Sequence, residues 1–489
     1  MKMQEAVVAF LSDPRTHGGV APEHIETHLS HLFLAGDRAI KLKKARLWSM
    51  VDYTTLAARE HYCRKELALN ARFAPELYLG VRAVTNGAGL KIDGDGEVVD
   101  WLVEMRRFAH DAQLDVVVDE GRFTPDLADK TADAIASLHR TAPIVRIGGY
   151  HDMVSRIVDQ LETDVIARVD ATLHDLVEQW AQASRAHVAR HAGQLDARGR
   201  HGFVRRCHGD LHLSNICLWE GMPTPFDALE FSDEIATIDI LYDLAFVLVD
   251  LSHRGHCDTS GRLMSRYLEW TRDYTGLTLL PLFSGLRSMV RALVAASKGR
   301  APDALIAAAQ RQITASRNPR LVAIGGLSGT GKTTLARALA PRLDAVVLRS
   351  DSTRKHLAGV LPEARLPQSA YTPHQSAAVY RRLFKDARRV LRAGWPVIVD
   401  ATFLDPAERA AVEAVAKAAD APFHGVWLEG RRDILMDRVR ARTGDASDAD
   451  ADVLAHQLRR DIGPMSWQRL DVEGNRDVVA RDLAVAITP

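Results

Sequence analysis

Cysteine is scarce in this chain. Its 489 residues include four, Cys63, Cys207, Cys217 and Cys257. None forms a CxxC pair, four are too few for a disulfide framework in a chain of this size, and a reducing interior suits such a composition. Cys63 and Cys217 read as packing thiols. An excess of one charge is also missing: Lys plus Arg and Asp plus Glu number 63 each. Nothing at long range therefore argues for a nucleic-acid or membrane partner. Long hydrophobic runs are missing too. The opening MKMQEAVVAFLSDPRTHGG has no apolar stretch fit for a signal peptide. The most apolar segment, Ile238 to Leu251, is broken by Asp239, Asp243 and Asp250, and reads as a buried globular helix, not a membrane span. The expected location is cytoplasmic. What is present is ordinary for a soluble protein, 47% hydrophobic and 26% charged residues. The length predicts at least two domains.

Along the chain, HLFLAGDRAIKLKK from His31 to Lys44 places two apolar runs around Gly36-Asp37, the pattern of a β-hairpin. Helical spacing runs from about Tyr53 to Phe73. ELYLGVRAV and DGEVVDWLVEMRRF read as further strands, giving a small β-rich unit over about 25–107. Beyond Asp126 helices dominate, interrupted by one strand–loop–strand island from Phe203 to Glu230. The polar stretch Ser316–Arg320 then marks a boundary, because LVAIGG follows at once as a buried parallel strand would. From there strands at 321–325, 345–349, 397–399 and 424–428 alternate with helices at 332–341, 374–393, 406–419 and 432–441. That order implies a mostly parallel sheet covered on both faces.

The sharpest motif lies at this boundary: Gly326-Leu-Ser-Gly329-Thr330-Gly331-Lys332-Thr333, between a strand and the helix that continues from Thr334. It is a complete GxxxxGK[ST] in its required setting. Its glycines let successive N–H groups face a phosphate, and the helix N-terminus adds positive partial charge. Lys332 is expected at the terminal phosphates and the Thr333 hydroxyl on Mg²⁺. Two carboxylates follow strand ends, where this architecture puts its chemistry. Asp351 is read as the acceptor-side base. Asp400 is read as the metal-side group, or else as the cap of the following turn. Arg438 and Arg442, four apart on one helix face, would neutralise charge developing on the triphosphate, or else sit on a solvated helix. This half, about 320–487, resembles the P-loop small-molecule and polynucleotide kinases that include gluconate kinase and zeta-toxin-like proteins. The resemblance implies that Asp351 faces the acceptor and that the Arg438–Arg442 stretch belongs to a lid.

A second constellation is Cys207-His208-Gly209-Asp210-Leu-His212-Leu-Ser-Asn215, followed by Phe226-Asp227-Ala-Leu-Glu230. A carboxylate, an amide and a second carboxylate can converge on one metal–triphosphate complex. Asp210 would take the proton of an acceptor hydroxyl, and Asn215 and Asp227 would offer Mg²⁺ the oxygen ligands it prefers. One HxDxH stretch has too few ligands to argue for zinc. The segment resembles the catalytic loop of the aminoglycoside phosphotransferases and related kinase-like small-molecule kinases, over about residues 25–315. That resemblance implies the same three roles. It also implies a phosphate-binding lysine at Lys41, with Lys43 as competitor on the same strand face, and a helix partner at Glu66, with Glu60 as competitor. Backbone contacts to adenine are expected near Glu104, and Asp243 is expected to brace the catalytic loop. There is no GxGxxG over the expected phosphates; His28–His31 occupies that turn.

The expected fold is therefore multidomain α+β and α/β. Residues 1–315 form a bilobal protein-kinase-like fold, with a small lobe about 25–107 and a large lobe about 108–315. Residues 320–489 form a three-layer α/β/α P-loop NTPase fold. The expected activity is ATP- and Mg²⁺-dependent phosphorylation of a hydroxyl on a small metabolite such as a sugar or polyol. Two other readings stay open: a nucleotide-regulated scaffold or toxin-related protein in which the P-loop alone turns over, and a polynucleotide 5′-hydroxyl kinase.

Overall fold

A computed structural model describes residues 2–48, 51–361, 364–441, 451–471 and 476–487. The chain forms two compact units, Met1–Val169 with Ser184–Arg254, and Asp170–Ala183 with Gly255–Pro489.

The first unit is built on a six-stranded antiparallel sheet. In spatial order its strands are Glu23–Glu26, Ser30–Ala35, Arg38–Lys43, Glu97–Arg106, Tyr78–Asn86 and Leu90–Ile92. The expected hairpin forms with Ala35 opposite Arg38, so Gly36 and Asp37 make a two-residue turn. Gly36 takes φ 56°, a conformation that costs a residue without a Cβ little. The helix Leu56–Asn70 starts at Thr55, whose hydroxyl accepts from the Ala58 amide. The small lobe begins earlier than the sequence pattern suggests. A helix, Lys2–Ser12, packs Val7 and Leu11 against Phe33, Leu42 and Leu102. Helices then dominate, with short strands Val204–Arg206, Ile216–Trp219 and Met222–Pro225 in the expected island. The apolar segment near residue 240 is the helix Ile240–His253, capped by the Asp239 carboxylate and buried from Ile240 to Leu251. Among the described residues no helix is long and apolar enough to cross a membrane.

The second unit holds a five-stranded, wholly parallel sheet. Its order is Val346–Arg349, Val397–Asp400, Leu321–Gly326, Phe423–Glu429 and Gln468–Asp471. The central strand is buried at every position, which explains why it reads as an unbroken apolar run. Val322 and Ile324 share one core with Leu335 and Leu339 of the helix Lys332–Leu343. The sequence pattern missed the last strand, the helix Arg476–Ile487 and the helix Ser350–Leu357, whose composition is mostly polar.

The compact units do not divide at the polar stretch 316–320. The helix Cys257–Thr271 packs on the edge strand Val346–Arg349 and on the helix Lys332–Leu343, while Leu280–Ser297 and Asp303–Thr314 pack on each other within the same unit. The Val347 amide of the edge strand donates to the Ser265 hydroxyl at 3.4 Å, and the Trp395 indole donates to the Leu277 carbonyl at 3.0 Å. Arg272 reaches the fully buried Asp386 carboxylate at 2.8 Å and the Thr353 hydroxyl at 3.2 Å. Arg382 and Arg389 share the same carboxylate.

Candidate active sites

In the first unit, Lys41, Asp210 and Asp227 line one cleft, with Glu66 and Asn215 bonded to them from behind. Lys41 projects from the strand Arg38–Lys43 and donates to Glu66 at 2.9 Å and to Asp227 at 2.5 Å. Burial works against its charge, but the carboxylates of Asp227, Glu66 and Glu230 outweigh that and hold its pKa well above the usual lysine value. Glu66 is fully buried, whereas its competitor Glu60 pairs with Arg64 at the surface. Lys43, the other lysine on this face, donates to the second oxygen of Glu66 at 2.6 Å and to Glu230 at 2.5 Å. A cavity of about 200 Å³ opens in front of Lys41, lined among others by Thr27, Leu29, Met105, Asp210 and Asp227.

The loop carrying Asp210 is held from behind. Both oxygens of the buried Asp243 accept backbone amides, from His208 and Gly209, each at 3.0 Å, and His139 approaches the same carboxylate at 3.2 Å. Gly209 takes φ 87°, and a Cβ there would meet the Ala236 side chain at 2.8 Å. Asn215 donates to the Asp210 carbonyl at 2.9 Å and to its carboxylate at 3.2 Å. The His208 ring reaches the carbonyl of Phe226 at 2.9 Å, tying this loop to the segment of Asp227. Burial lowers the His208 pKa, so the neutral ring is favoured and its Nε2–H donates. Asp227 itself sits at φ 60°, its amide donating to the Tyr78 hydroxyl at 3.0 Å. Oxygen donors from Asn215 and Asp227 suit a hard divalent cation such as Mg²⁺.

Glu104 does not fit its expected place. It lies inside the strand Glu97–Arg106, opposite Ile40 on one side and Gly80 on the other. Its backbone therefore faces neighbouring strands rather than a ligand, and its carboxylate pairs with Arg82 at 2.7 Å.

In the second unit the P-loop is shaped by its glycines. A Cβ at Gly326 would stand 2.7 Å from the Leu428 carbonyl oxygen, and one at Gly329 2.7 Å from that of Leu435. Gly331, in the left-handed region, is the N-cap of the helix Lys332–Leu343, so Thr333 and Thr334 fall in its first turn. Lys332 and the Thr330 hydroxyl both donate to the Leu327 carbonyl, at 2.9 and 2.8 Å. The Thr333 hydroxyl donates to Asp400 at 2.6 Å, which brings the two groups read as metal-side together. Asp351 lies in the first turn of the helix Ser350–Leu357. Arg438 is half-buried on the helix Arg432–Arg440, whereas Arg440 is exposed. Arg442 lies outside the described residues.

Three residues of these sites were not evident from sequence. Arg349 is buried, with its guanidinium 3.4 Å from the Thr333 hydroxyl and 3.6 Å from Asp400. Its position just after an apolar strand was the available signal. Gln457 accepts from the Ser328 amide at 2.8 Å, holding one end of the Leu327–Ser328 peptide while Lys332 holds the other. Nothing in its helical context marks it. Tyr53 donates to Glu230 at 2.7 Å, and a lone tyrosine before a helix carries no signal.

Residues 321–461 match the family described as AAA domain. Over 475 residues the chain is 30% identical to the Mycobacterium tuberculosis protein Rv2004c, covering 92% of each chain, and equally to Mycobacterium bovis Mb2027c. The chain belongs to the same family as these two relatives. Both relatives are described as uncharacterized proteins. Among solved structures, a choline/ethanolamine kinase family protein from Mesorhizobium loti is 15% identical, with 64% of this chain and 95% of that one covered and a TM-score of 0.42. A sugar kinase from Janibacter sp. is 20% identical, with 35% and 96% covered and a TM-score of 0.28. The C-terminal half thus carries a P-loop domain of the AAA class. With the lobed N-terminal half it makes a bilobal kinase-like fold joined to a P-loop NTPase fold.

Proposed function

We propose that the protein is an ATP-dependent phosphotransferase acting on a hydroxyl of a small metabolite, with two nucleotide-binding modules. By sequence the modules are 1–315 and 320–489; the helices at 257–314 belong to the first by sequence and to the second by packing. In the N-terminal module Asp210 takes the proton of the acceptor hydroxyl. The freed oxygen attacks the γ-phosphorus, the bond to the bridging oxygen breaks, and ADP leaves. Lys41, held by Glu66, binds the phosphate tail, while Asn215 and Asp227 hold Mg²⁺. In the C-terminal module the amides of Gly326 to Thr334 cradle the phosphates and Lys332 reaches the terminal ones. Thr333 and Asp400 hold the metal, Asp351 takes the acceptor proton, and the positive charge of Arg438 and Arg442 offsets the charge that develops. Bound Mg²⁺ neutralises phosphate charge and orients the tail.

What carries this reading is convergence. Lys41, Glu66, Asp210 and Asp227 come from segments up to 186 positions apart, yet they meet around one cleft, with Lys41 touching Asp227 directly. The test is mass spectrometry of a metabolite extract incubated with Mg-ATP and wild-type, D210A or K332A protein. New species heavier by one phosphoryl group are expected, each vanishing with one variant. Extracts that gain no such species with the wild type would end the proposal. Turnover lost in K332A but intact in D210A would leave the P-loop as the sole active site.

A further inference from the structure

The charge cluster behind the N-terminal cavity is larger than a nucleotide requires. Lys41 and Lys43 share a strand face, and Glu66 divides its two oxygens between them. The far side of each lysine is taken by a carboxylate from one short segment: Asp227 on Lys41 and Glu230 on Lys43. Two parallel bridges therefore span the cleft, and they are not equivalent. The Asp227 side chain is 43% exposed, whereas Lys43 and Glu230 are 1% and 9% exposed. The inner bridge is also pinned by the Tyr53 hydroxyl, itself buried. Asp227 cannot remain the counter-ion of Lys41 and give the same oxygen to a metal. When it turns to the metal, Lys41 is left with Glu66 alone, and Glu66 is steadied only by Lys43.

We infer that Lys43 and Glu230 form a latch that keeps Glu66, and through it Lys41, in place while Asp227 passes from the lysine to the metal; this rests on the nucleotide reading of the cavity given above. Both are positioning residues, because neither touches phosphate in this arrangement. The outer bridge exchanges partners during binding and the inner one does not. Removing Lys43 should therefore matter most when a divalent cation is present.

The test is a titration of a fluorescent ATP analogue, with and without Mg²⁺, into full-length K332A protein, so that the N-terminal cavity reports alone. Mg²⁺ is expected to tighten binding in that background. Lys43→Met should erase about tenfold of that gain, the scale of one charged hydrogen bond, while metal-free affinity shifts less than about threefold. Glu230→Gln keeps an oxygen that accepts from Lys43 and Tyr53, and should restore most of the gain. It also carries the test should K43M fail to fold, since E230Q must then retain the gain that E230L loses. An unchanged Mg²⁺ gain in K43M or E230L overturns the latch. So does a parallel loss with and without metal, which would mark a purely structural pair. If the K332A parent binds no nucleotide at all, the reading of the cavity falls first and the latch with it.

Discussion

Gly329 offers a sharp test of how the P-loop is packed. Its φ of 84° is one that a residue with a Cβ enters at a cost of about 1–2 kcal/mol. A Cβ there would also stand 2.7 Å from the Leu435 carbonyl oxygen, a backbone atom inside a helix that cannot step aside alone. Overpacking of this kind costs about 1–3 kcal/mol more, so Gly329→Ala should lose about 2–5 kcal/mol. Gly359 supplies the control, with φ 70° and nothing within 4 Å of an added Cβ. Gly359→Ala should lose only the conformational part. In a unit of this size each kcal/mol lowers the melting temperature by about 2–4 °C. Differential scanning calorimetry should then separate the two variants by roughly 2–12 °C, and G329A alone should lose nucleotide binding at the P-loop. Equal melting temperatures for the two would refute the contact between loop and helix.

Other perturbations have defined signs. Because burial lowers the His208 pKa, the unfolded chain binds a proton near pH 6.5 that the native ring refuses, so stability falls as the pH drops below that value, by at most about 1.4 kcal/mol per pH unit. Urea titrations from pH 7 to 5 should show this slope, shallower in His208→Gln, which can still donate to the Phe226 carbonyl. Glu230, lowered to about 2 by Lys43 and Lys41 against the effect of burial, adds stability that is present above pH 4.5 and lost as the pH falls toward 2; E230Q should flatten that arm of the acid-unfolding curve. Gln457→Met removes the acceptor for the Ser328 amide and should cost the second unit about 1 kcal/mol, read by calorimetry. Arg272→Met strips one of three arginines from buried Asp386 and should cost at most about 3–5 kcal/mol, at the lower end because Arg382 and Arg389 remain.

Much of the fold was legible because its strands and helices announce themselves by period. The parallel strands at 321–326, 346–349 and 397–400 are buried on both faces and so read as apolar runs. Pro373 to Arg392 shows a helical stripe so regular that its limits were found within one residue. Elements stabilised mainly by tertiary contact were not legible. Lys2–Ser12 shows its apolar face only against the sheet, and Gln468–Asp471 is four residues long with a largely exposed side-chain pattern. At the sites, motif spacing marked Lys41, Asp210, Asp227 and the P-loop, and not the residues that hold them in place. Glu230 stands three positions after Asp227 in the quoted segment, yet its partnership with Lys43 depends on a strand almost two hundred positions earlier. Glu104 was misplaced because a strand can be read from its pattern while the point where it stops offering free backbone cannot.

The strand Val346–Arg349 ends the parallel sheet on one side, and its Val347 amide is met by Ser265, a residue encoded well upstream of the P-loop. A gene fragment begun at the apparent junction near residue 316 would delete that cover. The excised piece would keep the whole GxxxxGK[ST] loop and still expose a bare sheet edge, ready to recruit the same strand from another molecule. Its precipitation would say nothing against the chemistry of the loop; the second unit is whole only with Gly255 onward and the segment Asp170–Ala183.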